Sequence, residues 1–403
     1  MSGLSDFSLT WAEIVKLLLD NWTPARETEY VPVQESLGRV AAKAVRSHNT
    51  LPVSRISGAD GIAVRSADFK DGIPDTSAWL KNVNFAQADT GDDIPDEFDT
   101  VIPVEEICFD DNGKLGFTEE FEYEKNSYVR PAGCMIQNGG AIVSANTRLT
   151  PMLLSALALG GLYQIHVLRR PKVVYIPTGN ELIPVGQKPM RGQHIETNGL
   201  MVSALLKEYG AEAVCFPIIR DDPASLEATL NIALASADIV LINGGSSKGV
   251  DDFNARMLKS HADIFYHGVK CAPGRPVAVS LINGKPVINL PGPPLATFLA
   301  MEWCVRALVY HWHGLPFPER QTVKARLESP IRKPAEFAEY EFIIRLVISR
   351  NGNGYAAKPV GPLSQLAALT VPNALFVVPV GVSGYNEGDE IDAGLLCGTE
   401  YLQ

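Results

Sequence analysis

A glycine-rich turn at residues 242–249, Ile-Asn-Gly-Gly-Ser-Ser-Lys-Gly, follows an apolar run over residues 237–241 and precedes the acidic pair Asp251 and Asp252. An unbroken run of Ile, Val and Leu predicts a strand that is buried on both faces of a parallel sheet. Glycines at the end of such a strand allow a sharp turn and bring backbone N–H groups close to a ligand. Anion-binding groups and carboxylates therefore fall in one predicted loop.

Two other segments repeat this pattern of a strand that ends in a glycine turn. Residues 172–177 run into Thr-Gly-Asn-Glu-Leu at 178–182, and residues 285–290 run into Pro-Gly-Pro-Pro at 291–294. One such turn is usually an ordinary connection, but the carboxyl ends of parallel strands share the sheet edge that binds ligands in open α/β folds. Three turns, with Glu181, Asp221 and Asp252 at matching places, predict one common pocket.

Bulk composition limits the classes of partner. The chain has 403 residues and a net charge of −11, so two to four domains are expected and a general nucleic-acid binder is disfavoured. The six cysteines are scattered with no Cys-x-x-Cys pair, which predicts a reducing compartment and no zinc site. The sequence has neither a signal-peptide pattern nor an apolar run long enough to span a membrane, so we expect a cytoplasmic protein without a membrane partner.

The elements that must position these residues divide the chain into four predicted domains. Helical patterns at residues 8–22, with a capping box at Thr10 and Glu13, at 34–45 and at 150–162 predict a helical linker domain from residues 1–47 and 141–169. Short apolar runs and acidic turns predict an inserted β domain at 48–140. Residues 170–316 alternate between strand and helix patterns, and 317–403 predict a small β domain with a hairpin at 340–360. The pair His311 and His313 is predicted to lie on the surface.

The order of the motifs resembles the molybdopterin molybdenumtransferases, the MoeA family shared with the C-terminal domain of gephyrin, over nearly the whole chain. The motifs that carry the resemblance are Ser-Gly-Ala-Asp-Gly-Ile-Ala-Val at 57–64, Thr-Gly at 90–91, Pro-Thr-Gly-Asn-Glu-Leu at 177–182, Ile-Arg-Asp-Asp-Pro at 219–223, Asn-Gly-Gly-Ser-Ser-Lys-Gly at 243–249 with Asp252, Ala-Pro-Gly-Arg-Pro at 272–276 and Leu-Pro-Gly-Pro-Pro at 290–294. The resemblance implies a multidomain α/β plus β fold: a helical linker and dimerisation domain, an inserted β domain, a three-layer α/β molybdopterin-binding domain and a C-terminal β barrel.

The resemblance also implies an activity and its participants. Family members insert molybdate into adenylated molybdopterin and release AMP with the help of Mg²⁺. They form homodimers whose active site lies between subunits, and a molybdopterin adenylyltransferase is the expected upstream partner. The implied catalytic residues are Asp60, Thr90, Glu181, Asp221 and Asp252, of which Glu181, Asp221 and Asp252 are hard oxygen ligands suited to Mg²⁺. The implied substrate-binding residues are Thr178, Asn180, Gly244, Gly245, Ser246, Ser247, Arg275, Pro276 and Arg345.

Simpler roles stay open for three of these residues. Asp221 could cap the helix that follows it, in company with Asp222. Thr90 could belong to a plain turn, and Asp60 could serve a hairpin turn before Gly61.

The chain departs from the family pattern at several positions. Met135 stands where the family has an aspartate, Ala272 replaces the first lysine of Lys-Pro-Gly-Lys-Pro, and Pro293 and Ala296 replace an asparagine and a serine that help to hold an oxyanion. Losing one charged hydrogen bond costs about 1.5–3 kcal/mol. The alternatives to an active insertase are therefore a paralogue that binds molybdopterin or its adenylate without inserting metal, a tungstate-specific insertase, and an adenylyltransferase.

Overall fold

The computed structural model describes residues 9–110, 114–119, 121–245, 253–352, 354–361 and 364–402. The chain forms two compact units. The α/β–barrel unit contains the described residues of Met1–Glu27 and Arg169–Gln403, and the β unit is Thr28–Leu168. The α-helices in the described ranges are α1 (Trp11–Asn21), α2 (Pro151–Leu159), α3 (Asn198–Tyr209), α4 (Pro223–Ser236), α5 (Phe253–His261), α6 (Pro294–Ala300), α7 (Arg306–Trp312) and α8 (Gln365–Thr370). No helix in these ranges is long and apolar enough to cross a bilayer.

The β unit is built from short antiparallel pairings. Strands β5, β4 and β6 form a three-stranded sheet, and β1 pairs with β11 and β2 with β10. Its strands are β1 (Thr28–Pro32), β2 (Val45–Arg46), β3 (Ile56–Ser57), β4 (Gly61–Val64), β5 (Phe85–Ala88), β6 (Thr100–Pro103), β7 (Ile107–Phe109), β8 (Leu115–Phe117), β9 (Val129–Arg130), β10 (Ala141–Val143) and β11 (Gln164–Leu168).

The helix predicted at residues 34–45 is wrong. Val33–Glu35 forms a single 3₁₀ turn, and Gly38 follows in a left-handed conformation with φ 73°. Val40 and Ala41 then make antiparallel bridges to Arg148 and Val167. Pairing with distant strands therefore overrides the local helical pattern, and the left-handed glycine interrupts it.

Helix α1 has the predicted capping box. The Thr10 N–H donates to Glu13 Oε2 at 2.8 Å, and the Glu13 N–H donates to Thr10 Oγ1 at 3.4 Å. The apolar side of α1, which includes Ile14 and Leu18, packs into the core that also contains Val173. This helix is therefore part of the α/β–barrel unit. The predicted boundaries of the four domains stay predictions.

The α/β–barrel unit contains a six-stranded sheet in the order β15-β12-β16-β20-β19-β17. The first four strands are parallel, whereas β19 and β17 run antiparallel at one edge. The turn Asn283–Gly284, with φ 51° and 71°, joins β19 to β20 as a tight hairpin. The strands of this region are β12 (Lys172–Pro177), β13 (Leu182–Ile183), β14 (His194–Ile195), β15 (Glu212–Cys215), β16 (Ile239–Asn243), β17 (Ile264–His267), β18 (Cys271–Ala272), β19 (Ala278–Ile282) and β20 (Lys285–Leu290).

Helices cover both faces of this sheet, which confirms the three-layer α/β prediction. Alternate residues of β12 point to opposite faces: Val173 packs in the core with α1, α3, α6 and α7, and Val174 packs with α4 and part of α5. Gly210, with φ 96°, ends α3, as is usual for a glycine in the left-handed conformation. Because helices bury the strands on both faces, the sequences of these strands are nearly unbroken runs of apolar residues.

The C-terminal region closes into a barrel, as predicted. Strands β23, β24, β21, β27 and β25 pair in this order, and β25 pairs again with β23. Strand β18 adds to the side of β23, which ties the loop after β17 to the barrel. The strands are β21 (Thr322–Leu327), β22 (Ile331–Arg332), β23 (Glu341–Asn351), β24 (Gly354–Pro359), β25 (Ala374–Val378), β26 (Gly384–Tyr385) and β27 (Glu390–Leu395).

A buried carboxylate joins the helical layer to the start of the barrel. Glu302 lies in a π-helical turn between α6 and α7 and is only 8% exposed. It accepts hydrogen bonds from Tyr209 Oη at 2.5 Å and Arg306 Nη1 at 3.2 Å, and it also pairs with Arg320. Two cations and one hydroxyl therefore compensate the burial of a single charge.

Candidate active site

The three predicted glycine turns start at the same edge of the sheet. Pro177 of β12 pairs with Asn243 of β16, and Asn243 pairs with Leu290 of β20. The loops that follow these residues are therefore neighbours, as the pattern of parallel strands predicts. The middle loop is described only as far as Gly245, so the predicted residues Ser246, Ser247 and Asp252 lie outside the described residues.

A buried amide connects the loops. Asn243 is 4% exposed, and its Oδ1 accepts hydrogen bonds from Tyr175 Oη at 3.0 Å and Asn198 Nδ2 at 2.8 Å. Its Nδ2 donates to the Pro291 carbonyl at 2.7 Å. Asn198 Nδ2 also donates to the Gly292 carbonyl at 2.8 Å. The start of α3 and two strand-end loops are thus fixed around one side chain, because buried polar groups must satisfy their hydrogen bonds.

Tyr175 and Glu196 extend this network, and the sequence reasoning missed both of them. Tyr175 Oη lies 2.9 Å from Glu196 Oε1, which also accepts the Gly199 N–H at 2.9 Å. Burial, followed by the nearby Glu196 carboxylate, raises the pKa of Tyr175 far above its ordinary value, so its hydroxyl stays a donor. The sequence signal that could have found Glu196 is the polar run from Glu196 to Asn198 just before a helical pattern. In an open α/β sheet, a helix that follows a strand begins at the edge of the sheet that binds ligands.

The turn after β16 requires glycine at both described positions. Gly244 has φ 118°, and a Cβ there would lie 2.4 Å from the Thr178 carbonyl oxygen. Gly245 has φ 55°, and its Cβ would lie 2.6 Å from Asn254 Nδ2. The Gly244 N–H donates to the Leu290 carbonyl at 3.3 Å, so in this structure it serves the protein itself. The Gly245 N–H has no acceptor among the described residues.

Thr178 and Asn180, two predicted substrate-binding residues, have different surroundings. Thr178 is 3% exposed, and its hydroxyl donates to the Asn243 carbonyl at 3.2 Å, so it stabilises the turn from inside. Asn180 is exposed, and its N–H donates to Asp221 Oδ2 at 3.2 Å while its own Oδ1 accepts the Asp221 N–H at 3.3 Å. This exchange joins the loops after β12 and β15.

The helix-capping role that was considered for Asp221 is filled by its neighbour Asp222. Asp222 Oδ2 accepts the Ser225 N–H at 2.9 Å and caps α4, and these hydrogen bonds lower the pKa of Asp222. Asp221 instead faces the loop after β12 and is exposed there. Its carboxylate is therefore placed at the sheet edge.

Glu181 and Asp221 are the two predicted metal ligands that the structure describes. Glu181 is exposed, and its carboxylate lies close to Gly179, where a Cβ would be 2.7 Å from Glu181 Oε1. Within the described part of the chain, no three His, Cys, Asp or Glu residues are grouped so as to hold a metal ion. Carboxylate oxygens suit Mg²⁺ chemically. The predicted site of Glu181, Asp221 and Asp252 stays a prediction because its third member lies outside the described residues.

A cavity of about 700 Å³ lies beside these loops, in the range of ligand-binding pockets. Leu200 and Phe216 contribute apolar walls, while Asn180, Glu196 and Arg220 contribute polar groups. This combination can hold a flat heterocycle by its faces and recognise it at its edges.

Asp60 and Thr90 lie together in the β unit. Asp60 Oδ1 accepts the Thr90 N–H at 2.7 Å, and this hydrogen bond lowers the pKa of Asp60. Antiparallel pairing of Gly61 with Ala88 brings the two residues together. A Cβ on Gly61 would lie 2.0 Å from the Ile102 carbonyl oxygen, so glycine is required beside Asp60. Both predicted residues are exposed.

The predicted oxyanion residues divide between two surroundings. Arg345 lines a second cavity, of about 600 Å³, together with Ala272 and Pro273. Arg275 instead lies over the ring of Tyr340, with its Cζ 5.1 Å from the ring centroid. Pro276, another predicted substrate-binding residue, is half-buried in the same loop.

The residues that depart from the family pattern are also placed by the structure. Met135 is 54% exposed in the β unit, and Ala272 and Ala296 are 5% and 6% exposed. Pro293 occupies the N-cap position of α6 and provides no side-chain hydrogen bond there. An asparagine at this position would offer such a bond.

The prediction that His311 and His313 lie on the surface is wrong for His313. His313 is 4% exposed, and its Nε2 lies 3.1 Å from the Gly210 carbonyl. His311 is half-buried, with Nε2 at 3.2 Å from the Trp22 carbonyl. Both imidazoles therefore contact carbonyls at the ends of helices, which the sequence pattern alone does not reveal.

Two family models match most of the chain. Residues 9–161 match the family model described as "MoeA N-terminal region (domain I and II)", and residues 175–311 match the one described as "Probable molybdopterin binding domain". Fold and site thus define a multidomain protein that combines this N-terminal region with a molybdopterin-binding type of α/β domain. The chain belongs to the MoeA family.

Relatives and solved structures agree with this assignment over nearly the full length. A molybdopterin molybdenumtransferase from Bacillus subtilis is 26% identical over 390 residues, which cover 92% of this chain and 90% of the relative. One from a Nostoc species is 28% identical over 401 residues and covers 94% and 91%. The crystal structure of a molybdopterin biosynthesis MoeA protein from Pyrococcus horikoshii has the same fold, with a TM-score of 0.77 at 24% identity over 97% of this chain and 99% of that chain.

Proposed function

We propose that this protein acts in molybdenum cofactor biosynthesis as a molybdopterin molybdenumtransferase, which inserts molybdate into adenylated molybdopterin and releases AMP. The observation that carries the proposal is the frame around Asn243, which holds strand-end loops beside a cavity of about 700 Å³. Full-length relatives that bear this enzyme name support the same activity.

Helix N-termini at the sheet edge favour an anionic substrate. Helix α3 begins at Asn198, which contacts the loop after β20; α4 begins at Pro223 just after Asp221 and Asp222; and α6 begins at Pro294 after β20. Each N-terminus carries a partial positive charge and backbone N–H groups. The carboxylates of Glu196 and Asp222 already cap α3 and α4, so of these three N-termini that of α6 is the one that would attract the phosphates of an adenylate in a chain with a net charge of −11.

The cavity in the α/β–barrel unit suits the pterin. Its apolar walls at Leu200 and Phe216 fit the faces of a flat ring, and the Glu196 carboxylate can accept hydrogen bonds from ring N–H groups. The protonated Tyr175 hydroxyl holds that carboxylate in place. These contacts would orient the substrate with its phosphates toward the N-terminus of α6.

Glu181 and Asp221, with Asp252, are the residues that would hold Mg²⁺. The cation would supply positive charge to the phosphates as AMP departs. The hydrogen bond from the Asn180 N–H to the Asp221 carboxylate holds this carboxylate beside the loop after β12, which supports the proposal.

The resemblance also leads us to propose a homodimer in which Asp60 and Thr90 act from the partner copy. Asp60 is exposed and its pKa is lowered by the hydrogen bond from Thr90, so its carboxylate is an anion at neutral pH, which suits an electrostatic role. A molybdopterin adenylyltransferase would supply the substrate. A cytoplasmic location stays a prediction.

A second candidate function is a paralogue that binds molybdopterin or its adenylate without inserting metal. The observations that favour it are the uncharged residues at positions where the family holds an oxyanion, namely Ala272, Pro293 and Ala296, together with Met135. A tungstate-specific insertase would have the same altered pocket.

The experiment is to incubate the purified protein with adenylated molybdopterin, Mg²⁺ and either molybdate or tungstate, and to measure AMP by chromatography. We expect oxyanion-dependent release of AMP, at least about tenfold slower in Glu181→Gln, because a Mg²⁺ ligand and its charge are lost. Glu208→Gln, an exposed carboxylate on α3, is the matched control. Saturable pterin binding without AMP release would favour the paralogue instead.

A further inference from the structure

A cavity of about 520 Å³ lies within the β unit, in the size range of ligand-binding pockets. The wall of this β-unit cavity includes apolar side chains from β4, β5 and the β7–β8 hairpin. Ile62, Phe85 and Leu115 belong to the buried core of the unit, whereas Phe109 is 56% exposed. The cavity therefore joins the core to solvent along an aromatic side chain, and apolar surface of this kind favours a ligand with an apolar or aromatic face.

Trp79 contributes an aromatic ring that is held in place. Its ring stacks against that of Phe85, with the centroids 6.5 Å apart, and meets the ring of Phe69 edge-on at 6.1 Å. Trp79 is nevertheless only half-buried, so part of its surface stays available in the cavity wall. A ring that is fixed in this way can stack on a planar ligand with little further loss of side-chain entropy.

The amide of Gln87 forms the polar part of the wall. Gln87 lies opposite Ile62 in the pairing of β4 with β5, and alternation along β5 places it on the same face as Phe85. Lys81 Nζ donates to Gln87 Oε1 at 3.0 Å, and Gln87 Nε2 donates to Asp89 Oδ1 at 3.5 Å. A primary amide has two N–H donors and two acceptor lone pairs, so one donor and one acceptor are left for a ligand.

This combination of groups suits a purine base. Adenine presents an amino group beside a ring nitrogen, and an amide that offers one acceptor and one donor matches this edge. Aromatic side chains such as Trp79 bind a base through its faces.

The charge of the wall favours a neutral ligand. Among the described residues of the wall, Asp60 and Asp89 are acidic and Lys81 is the one cation. A neutral base and its ribose can therefore enter, whereas a phosphate group would be repelled and would stay outside. Asp89 is exposed at the end of β5, and a carboxylate in such a position can accept a hydrogen bond from a ribose hydroxyl.

We propose that the β-unit cavity binds a purine nucleoside, with adenine stacked on Trp79 and recognised by the Gln87 amide, and with a ribose hydroxyl bound to Asp89. The identification of this nucleoside as the adenosine end of the adenylated substrate rests on the proposed function. The binding of free adenosine depends on the cavity alone.

The test is calorimetric titration of the full-length protein with adenosine, guanosine and uridine, which carry no phosphate and so do not report on the N-terminus of α6. We expect one adenosine per chain, and at least about tenfold weaker binding of uridine, because its smaller base stacks less well. Adenosine should bind at least about tenfold more weakly to Trp79→Leu and to Gln87→Ala. Gln34→Ala is the matched control, because Gln34 is an exposed glutamine of the β unit outside the cavity wall.

Two further measurements separate binding from folding. Trp79 is the one tryptophan of the β unit, so adenosine should quench part of the tryptophan fluorescence of the wild type and none of that of Trp79→Leu. Gln87→Glu keeps the shape of the side chain but lacks the N–H donors. We expect this variant to lose affinity for adenosine and to gain affinity for guanosine, whose base offers two adjacent N–H groups to a carboxylate.

Several results would overturn the proposal. These are the absence of adenosine binding to the wild type, equal binding of uridine, unchanged affinity in Gln87→Ala, and quenching that persists in Trp79→Leu. Equal weakening of adenosine and guanosine in Gln87→Glu would overturn the role of Gln87 in recognising the base.

The assay of AMP release separates this proposal from the proposed function. Adenosine binding by a protein that releases no AMP would leave the cavity assignment intact and reject the insertase. If AMP is released, we expect Gln87→Ala to raise the KM for adenylated molybdopterin by at least about tenfold, in line with its loss of affinity for adenosine. An unchanged KM would reject the cavity as the adenosine site and leave the insertase standing.

Discussion

Replacing Asn243 by alanine is expected to lower the free energy of unfolding of the α/β–barrel unit by about 2–4 kcal/mol. Asn243 is 4% exposed and makes strong hydrogen bonds to Tyr175 Oη, Asn198 Nδ2 and the Pro291 carbonyl, at 3.0, 2.8 and 2.7 Å. Each contributes about 1 kcal/mol net. The loss stays near this sum because Tyr175 keeps Glu196 and Asn198 keeps the Gly292 carbonyl as acceptors, so neither donor is left unpaired.

Urea denaturation followed by tryptophan fluorescence measures this effect. Four of the five tryptophans, Trp11, Trp22, Trp303 and Trp312, lie in the α/β–barrel unit. Asn231→Ala, on the exposed side of α4, is the matched control and should be neutral or slightly stabilising because alanine has the higher helix propensity.

A double-mutant cycle tests the reasoning directly. Asn243→Ala and Asn198→Ala should show a coupling energy of about 1 kcal/mol, whereas Asn243→Ala and Asn231→Ala should be additive. A loss below about 0.5 kcal/mol in Asn243→Ala would refute the view that this amide holds the loops together, since that is the lower bound for even one net hydrogen bond.

Three further changes probe the same frame and its support. Gly244→Ala should lower the free energy of unfolding, measured by urea denaturation, by about 1–3 kcal/mol, because Gly244 has φ 118° and a Cβ there would lie 2.4 Å from a carbonyl oxygen. Gly292→Ala is the control and should be tolerated, because a Cβ at Gly292 would meet open space. Equal effects of the two substitutions would contradict the steric argument. Asp222→Ala should lower the free energy of unfolding by about 1 kcal/mol, because the cap of α4 is lost. Asp221→Ala should leave the stability unchanged and reduce AMP release. The reverse result would show that Asp221 is the cap and that Asp222 acts at the site. Glu302→Gln should lower the free energy of unfolding by about 3 kcal/mol, because Arg306 and Arg320 lose their buried anion. A change within about 0.5 kcal/mol would show that this carboxylate does not join the helical layer to the barrel.

The sequence was sufficient for features that local chemistry determines. Strands that are buried on both faces have nearly unbroken apolar sequences, so the ends of β12, β16 and β20 could be located before their pairing was known. The end of α3 at Gly210 and the cap of α4 at the pair Asp221 and Asp222 follow from local preferences that act over a few residues, although these preferences do not decide which aspartate is the cap. The capping box at Thr10 belongs to the same class of local signal.

Features that depend on distant contacts could not be predicted in the same way. The apolar residues near position 40 fit a helix equally well until Val40 and Ala41 pair with strands more than 100 residues away. The partners of Asn243 are separated from it by tens of residues, so no local spacing indicates Tyr175 or Glu196. The burial of His313 depends on the end of α3, which packs near it only in the folded chain.

The family resemblance predicted more of the fold than of the site. Fold depends on many weak apolar positions, which tolerate replacement, and the three-layer domain and the barrel are both present. A binding site depends on a few charged or polar groups, and changes such as Ala272 and Pro293 alter it while leaving the fold in place.

The most direct test of the insertase proposal is the stoichiometry of a single turnover. Protein, adenylated molybdopterin, Mg²⁺ and molybdate are mixed, and the released AMP and the molybdenum bound to the pterin are quantified together by chromatography and elemental mass spectrometry. We predict one AMP for each molybdenum inserted, with both quantities reduced in Asp221→Ala and unchanged in Asp222→Ala once folding is verified. Adenylated molybdopterin that stays intact and metal-free in the presence of the wild-type protein would contradict the proposal.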